Sequence, residues 1–123
     1  DIDHFKQVND RYGHNVGDTV LQHFAAMLQQ QLRITDLVSR IGGEEFVVLL
    51  PDTDLDTGRW LLEKILAEFG NQVIELADGA TLKVSFSAGV VQWGKGDGFA
   101  QVLSQADARM YQAKEQGRNC VVG

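Results

Sequence analysis

Residues 40–50 read RIGGEEFVVLL, two glycines and two glutamates set between an apolar run that carries an arginine and a longer apolar run. LVSRI before the glycines and FVVLL after them are short and rich in branched or aromatic residues, so each is expected to form a strand. GGEE then becomes the tip of a hairpin of the four-residue class, and Pro51, which has no N–H to give to a ladder, ends the second strand. Gly42 and Gly43 are free to take positive φ, and without Cβ atoms they let a ligand approach the backbone closely. Glu44 and Glu45 follow at the same tip, where adjacent like charges repel and a cation beside them relieves the cost. Read alone, the string fits an exposed hairpin with ordinary acidic decoration at least as well.

Working outward, helical spacing appears on both sides of the hairpin. Asp3 is placed to cap a short helix running through about Tyr12, with Phe5 and Val8 inward and Gly13 ending it. Asp18 is placed to cap a second helix, in which Val20, Leu21, Phe24, Met27, Leu28 and Leu32 recur at steps of three and four. Leu55, Leu61, Leu62, Ile65, Leu66 and Phe69 mark a third, starting near Asp54 or Asp56 and ending at Gly70. QVIEL and TLKVSFSAGVV read as strands joined by a turn at Asp78-Gly79, and GKGDG as a flexible loop. A last helix, about Phe99 to Gln116, is expected to bury Val102, Leu103, Ala106, Met110 and Ala113, with Gly117 as left-handed cap before the strand NCVV. Phe5, Phe24, Phe46, Phe86 and Trp60 are expected in the core. The order predicts an α+β domain: one sheet with helices packed against it.

The chain has 123 residues, enough for one domain and one modest core. A hydrophobic share of 44% and a charged share of 23% are those of a globular protein. The net charge of −6 disfavours a long polyanion, so a nucleic-acid polymer is not the expected partner. Free nucleotides escape that objection where a metal ion and a few local cations meet their phosphates. Cys120 is the single cysteine, which excludes an intrachain disulfide and a multi-thiolate zinc site. No apolar run approaches membrane-spanning length and no secretory leader is visible.

The opening DID changes the weight given to the turn. Asp1 and Asp3 share a direction if Ile2 is extended, although helical capping would turn Asp3 away. Asp1 and Glu44 are then oxygen ligands from neighbouring strands, with a backbone carbonyl as a third. Magnesium accepts such a partial set and completes it with water and phosphate.

DIDHFKQVNDRYGHNVGD (1–18), RITD (33–36), RIGGEEF (40–46), SFSAGV (85–90) and ADARMYQAKEQGRN (106–119), in this order, resemble the GGDEF family of diguanylate cyclases over essentially the whole chain. The resemblance implies a palm-like, ferredoxin-like sheet related to those of nucleotide cyclases, and conversion of two GTP molecules into cyclic di-GMP and two pyrophosphates. It also implies that residues 1–123 form a single incomplete domain, whose first strand and preceding helix are largely missing. Asp1, the Ile2 carbonyl and Glu44 are implied as ligands of magnesium, or of manganese in its place. Glu44 and Glu45 share metal binding and proton removal, Asn9 and Asp18 read guanine, and His14 approaches the nucleotide. Lys6, Lys114 and Arg118 meet the phosphates, and Gly42 and Gly43 leave room for them. Arg33 and Asp36 match an RxxD site through which the product inhibits. Each domain holds one GTP, so a homodimer is expected for catalysis. A sensory or regulatory domain is expected upstream, on a cytoplasmic or membrane-anchored parent. The rival reading is a domain that binds GTP or cyclic di-GMP as a sensor and makes no product.

Overall fold

In the computed structural model, which describes residues 1–123, β1 (Leu37–Arg40) and β2 (Phe46–Leu49) form the expected antiparallel hairpin, with Arg40 opposite Phe46 and Leu37 opposite Leu49. Ile41 N–H donates to the Glu45 carbonyl at 2.9 Å, so the closed tip holds Gly42, Gly43 and Glu44, one residue fewer than predicted. Neither Gly42 nor Gly43 takes positive φ. The turn is fixed from outside instead: the Arg40 guanidinium donates to the carbonyls of Gly42 at 3.1 Å and Gly43 at 2.8 Å.

Two helices precede the hairpin, α1 (Phe5–Tyr12) and α2 (His14–Gln31), separated by Gly13 alone. Gly13 has φ 92°, a left-handed backbone that glycine adopts without strain, and its N–H donates to the Asn9 carbonyl at 2.8 Å. Both predicted caps are corrected here. His4, itself left-handed, precedes α1, because the Asp3 carboxylate turns inward to other donors. Asp18 lies one turn inside α2, which begins at His14 because Gly13 can reverse the chain in a single residue.

The third helix, α3 (Leu55–Asn71), starts at Asp54, whose carboxylate accepts from Thr57 N–H at 2.8 Å. It runs through Gly70 to Asn71, since that glycine keeps φ out of the left-handed region. β3 (Ile74–Glu75) and β4 (Thr81–Leu82) pair antiparallel across Asp78-Gly79 as expected, with Gly79 at φ 85°. The run after β4 is not one long strand. Phe86 makes an isolated antiparallel bridge with Ile2, and β5 (Ala88–Gly89) pairs in parallel with β6 (Val121–Val122). Between them lies α4 (Phe99–Glu115), ended by Gly117 at φ 108° with Arg118 N–H donating to the Ala113 carbonyl at 3.0 Å.

The core draws on α1, α2 and α3 together with Ile2, Ile74, Val84 and Phe86. Phe24 sits at its centre, edge-on to Phe46 at 4.9 Å, Phe69 at 5.2 Å and Phe86 at 5.3 Å, so one ring joins hairpin, α3 and the strand region. Trp60, expected inside, is 61% exposed on the outer face of α3, where its ring lies under the Lys64 ammonium at 5.7 Å. The fourth helix packs on β5 and β6, away from that core. Its contact is close because Gly89 has no side chain: a Cβ there would lie 2.1 Å from the Ala106 carbonyl oxygen. Of its predicted stripe only Ala113 is fully buried. Val102, Leu103, Ala106 and Met110 line an apolar groove of about 750 Å³ between β2, residues 88–91 and α4. The strands form three two-stranded pairs, β1-β2, β3-β4 and β5-β6, instead of one continuous ladder, and with the packed helices they make a mixed palm-like α+β fold with only the Ile2 bridge ahead of α1.

Candidate active site

The two ends of the chain and the hairpin tip meet at Asp1–Asp3. Ile2 N–H donates to the Glu44 carbonyl at 3.2 Å, Ser87 N–H to the Asp1 carbonyl at 3.0 Å, and Asp3 N–H to the Ser85 carbonyl at 2.9 Å. These bonds lock the opening residues between the turn and the 85–87 segment. The Ile2 carbonyl accepts no hydrogen bond from the chain, although the residue is only 1% exposed. A buried carbonyl without a donor is costly, and a cation is a natural partner for it.

Asp1 is buried, and its Oδ2 lies 3.1 Å from Lys114 Nζ. Lys6 is exposed and makes no ion pair. The Asp1 backbone nitrogen donates to the Ser87 carbonyl at 3.0 Å. Glu44 and Glu45 are half-buried at the tip. The donors that fit a hard cation are thus the Asp1 carboxylate, the free Ile2 carbonyl and Glu44. No group of three or more His, Cys, Asp and Glu side chains gathers, so a set of this kind needs the carbonyl and outside oxygens.

Asp3 performs a task not foreseen from its position. Its carboxylate accepts from Ser85 Oγ and Ser87 Oγ, each at 2.7 Å, and from Asn119 N–H at 3.0 Å. The last bond holds the turn after α4, where Arg118 and Asn119 are left-handed at φ 66° and 51°. Asp3 therefore fixes the backbone from which Arg118 projects. The SFS spacing, two hydroxyls on one side of an extended segment, was the readable signal for this.

Asn9 is half-buried on α1, and its amide has no hydrogen-bond partner in the chain. It lies over Gly17, where an added Cβ would stand 1.9 Å from Asn9 Oδ1. Asp18 follows on α2, exposed and without an ion pair, and His14 is exposed at that helix's first residue. A free amide over Gly17 and a free carboxylate on the next residue suit the donor and acceptor edge of a purine. Gly43 faces open space, with nothing within 4 Å of where a Cβ would be.

Arg33 and Asp36 form a separate cluster. Arg33 Nη2 lies 3.0 Å from Asp36 Oδ1, and Arg33 N–H donates to Asp36 Oδ2 at 2.8 Å. Burial favours the neutral carboxyl of Asp36, but the side-chain and backbone hydrogen bonds from Arg33 and its charge outweigh that and hold the pKa below the ordinary value. The same hydrogen bond, followed by the charge of Asp36, raises the Arg33 pKa.

Residues 1–120 match the family described as diguanylate cyclase, GGDEF domain. The chain belongs to the GGDEF diguanylate cyclase family. It is 45% identical over 125 residues to the response regulator PleD of Caulobacter vibrioides, an alignment covering 100% of this chain and 28% of PleD. It is 43% identical to the diguanylate cyclase DgcP of Pseudomonas aeruginosa, covering 97% of this chain and 18% of DgcP. The chain thus spans less than a third of these relatives. The GGDEF domain of DgcB from Caulobacter crescentus, solved in complex with c-di-GMP, superposes with a TM-score of 0.95 at 31% identity, over 99% of this chain and 72% of that one.

Proposed function

We propose that this GGDEF domain condenses two GTP molecules into cyclic di-GMP and two pyrophosphates. The observation that carries the reading is the convergence of the Asp1 carboxylate, the unpaired Ile2 carbonyl and the Glu44 backbone beside the hairpin tip, with Lys114 in contact with Asp1. In each half-reaction a 3′ hydroxyl oxygen attacks the α-phosphorus of the facing GTP. The bond from that phosphorus to the β-phosphate bridging oxygen breaks, and the hydroxyl proton leaves. A bound magnesium ion, or manganese, would polarise the α-phosphate and lower the hydroxyl pKa. Asp1, the Ile2 carbonyl and Glu44 would hold that ion, and Glu45, beside Glu44 at the tip, would support binding or accept the proton. Asn9 and Asp18 read guanine, with His14 at the edge of the nucleotide. Lys6, Lys114 and Arg118 offset triphosphate charge while Gly42 and Gly43 admit it. Because one domain holds one GTP, two domains face each other as a homodimer during the reaction.

Arg33 and Asp36 form the site where the product binds and inhibits: a guanidinium fork meets guanine or phosphate, and a carboxylate accepts guanine N–H groups. GTP as substrate places the domain in the cytoplasm; no helix in it is long and apolar enough to cross a membrane. A sensory or regulatory domain elsewhere in the parent supplies the input, and a membrane anchor there is compatible with this placement.

The test is incubation of the purified protein with GTP and magnesium, followed by mass detection of cyclic di-GMP. E44Q is expected to abolish turnover. Near-normal cyclisation by that variant removes Glu44 from the role, and binding of GTP or cyclic di-GMP without product from the unaltered protein assigns the domain as a sensor.

A further inference from the structure

Arg33 is held by more than Asp36. Its Nη2 also donates to the Pro51 carbonyl at 2.8 Å and to Thr53 Oγ1 at 3.0 Å. Thr53 Oγ1 donates in turn to the Pro51 carbonyl at 3.0 Å, which turns an oxygen lone pair toward the arginine. Thus Nη2 meets three acceptors with two hydrogens, while Nη1 has no partner in the chain. The guanidinium is pinned along one edge and presents the other, on a side chain that is still 56% exposed.

From this geometry we infer that Thr53 is a positioning residue for the product site, orienting Arg33 before cyclic di-GMP arrives. An exposed arginine ordinarily samples many rotamers, and immobilising it on binding opposes affinity. The threonine hydroxyl, held by the Pro51 carbonyl, removes part of that cost in advance. The PDT turn between β2 and α3 then has a purpose besides ending a strand: it carries both the carbonyl and the hydroxyl to Arg33. Thr53 acts through the arginine alone and not by touching the ligand.

The inference rests on Arg33 and Asp36 binding product, and the test separates the two ideas. Cyclic di-GMP affinity and product inhibition are measured for the unaltered protein and for R33A, T53V and T53S, alongside the kcat and KM for GTP. The rotation rate of the Arg33 guanidinium is measured by 15N NMR without product. T53V, close in shape but lacking the hydroxyl, is expected to weaken product binding about fivefold, the scale of one hydrogen bond. It should also speed guanidinium rotation and leave the kcat and KM for GTP unchanged. T53S keeps the hydroxyl and should restore both readouts. If T53V fails to fold, T53S against T53A decides by the same measures. Unaltered rotation and affinity in the variant lacking the hydroxyl, with R33A deficient, overturn the role of Thr53 and leave the product site standing. Unaltered affinity in R33A overturns the product site, and the positioning role with it.

Discussion

Gly17→Ala separates nucleotide recognition from stability, and the structure predicts opposite signs for the two. A Cβ at residue 17 would lie 1.9 Å from Asn9 Oδ1, 3.0 Å from Asn9 Cγ and 3.2 Å from Phe5 Cζ. Carbon and oxygen do not approach below about 3 Å, so the Asn9 amide must swing aside by more than about 1 Å, while Phe5 yields only a few tenths. The amide is the free end of a side chain without partners, and its displacement costs the fold little. Alanine within a helix is favoured over glycine by about 1 kcal/mol, which opposes the strain. The melting temperature should therefore hold or rise slightly. Guanine recognition should fall. Losing one or two hydrogen bonds from Asn9 costs about 1–3 kcal/mol in kcat/KM, roughly 5- to 150-fold, and narrows the preference for GTP over ATP. The assays are cyclic di-GMP formation against GTP concentration, competition by ATP, and a thermal melt. An alanine variant with unchanged KM and unchanged selectivity would refute the placement of Asn9 at guanine. One that loses stability in proportion to activity would refute the claim that its amide is free to move.

Gly89→Ala meets backbone instead of a loose side chain: the new Cβ would be 2.1 Å from the Ala106 carbonyl oxygen and 2.5 Å from Met110 N. Overpacking that rigid contact should cost about 3 kcal/mol and lower the melting temperature by roughly 10 °C, read by calorimetry. For Asp36 the sign follows from its lowered pKa: its contribution is fully present above the ordinary value of 3.8 and is lost as pH falls through the lower folded value. Cyclic di-GMP affinity should show no transition from this carboxylate between about pH 5 and 7, and D36N should weaken binding without changing the shape of the profile there; a midpoint near pH 6 lost in that variant would contradict the Arg33 pairing. In a dilution series below the dimer dissociation constant, the rate per volume should rise more steeply than linearly with protein concentration; strict proportionality from a species shown to be monomeric by light scattering would contradict catalysis across two domains.

The hairpin, the Asp54 cap, the Asp78-Gly79 turn and the Gly117 stop were legible because each is a local contest that local chemistry wins. Phe5, Phe24 and Phe69 were legible as core from helical spacing, while Phe46, on β2, is only partly buried against that core. Trp60 was not: its place on α3 puts it on the outer face, where a nearby lysine covers the ring, and apolar character alone carries no direction. Asp3 and Asp18 failed for different reasons. Gly13 offered α2 an earlier start, so Asp18 was freed from capping and stands exposed beside the Asn9 and Gly17 contact. Asp3 had helix donors nearby but found Ser85 and Ser87, 82 and 84 residues away, and three bonds to a buried carboxylate outweigh one cap.

The same long-range logic governs the candidate metal site. Sequence spacing placed two acidic groups near each other only on the assumption that DID and GGEEF lie on neighbouring strands. What joins them is the Ile2 N–H bond to the Glu44 carbonyl, and what brings a cation to Asp1 is Lys114, from the far end of the chain. The Lys114 ammonium lies 3.1 Å from the Asp1 carboxylate, a pairing between the two ends of the chain that neither residue's motif shows by itself.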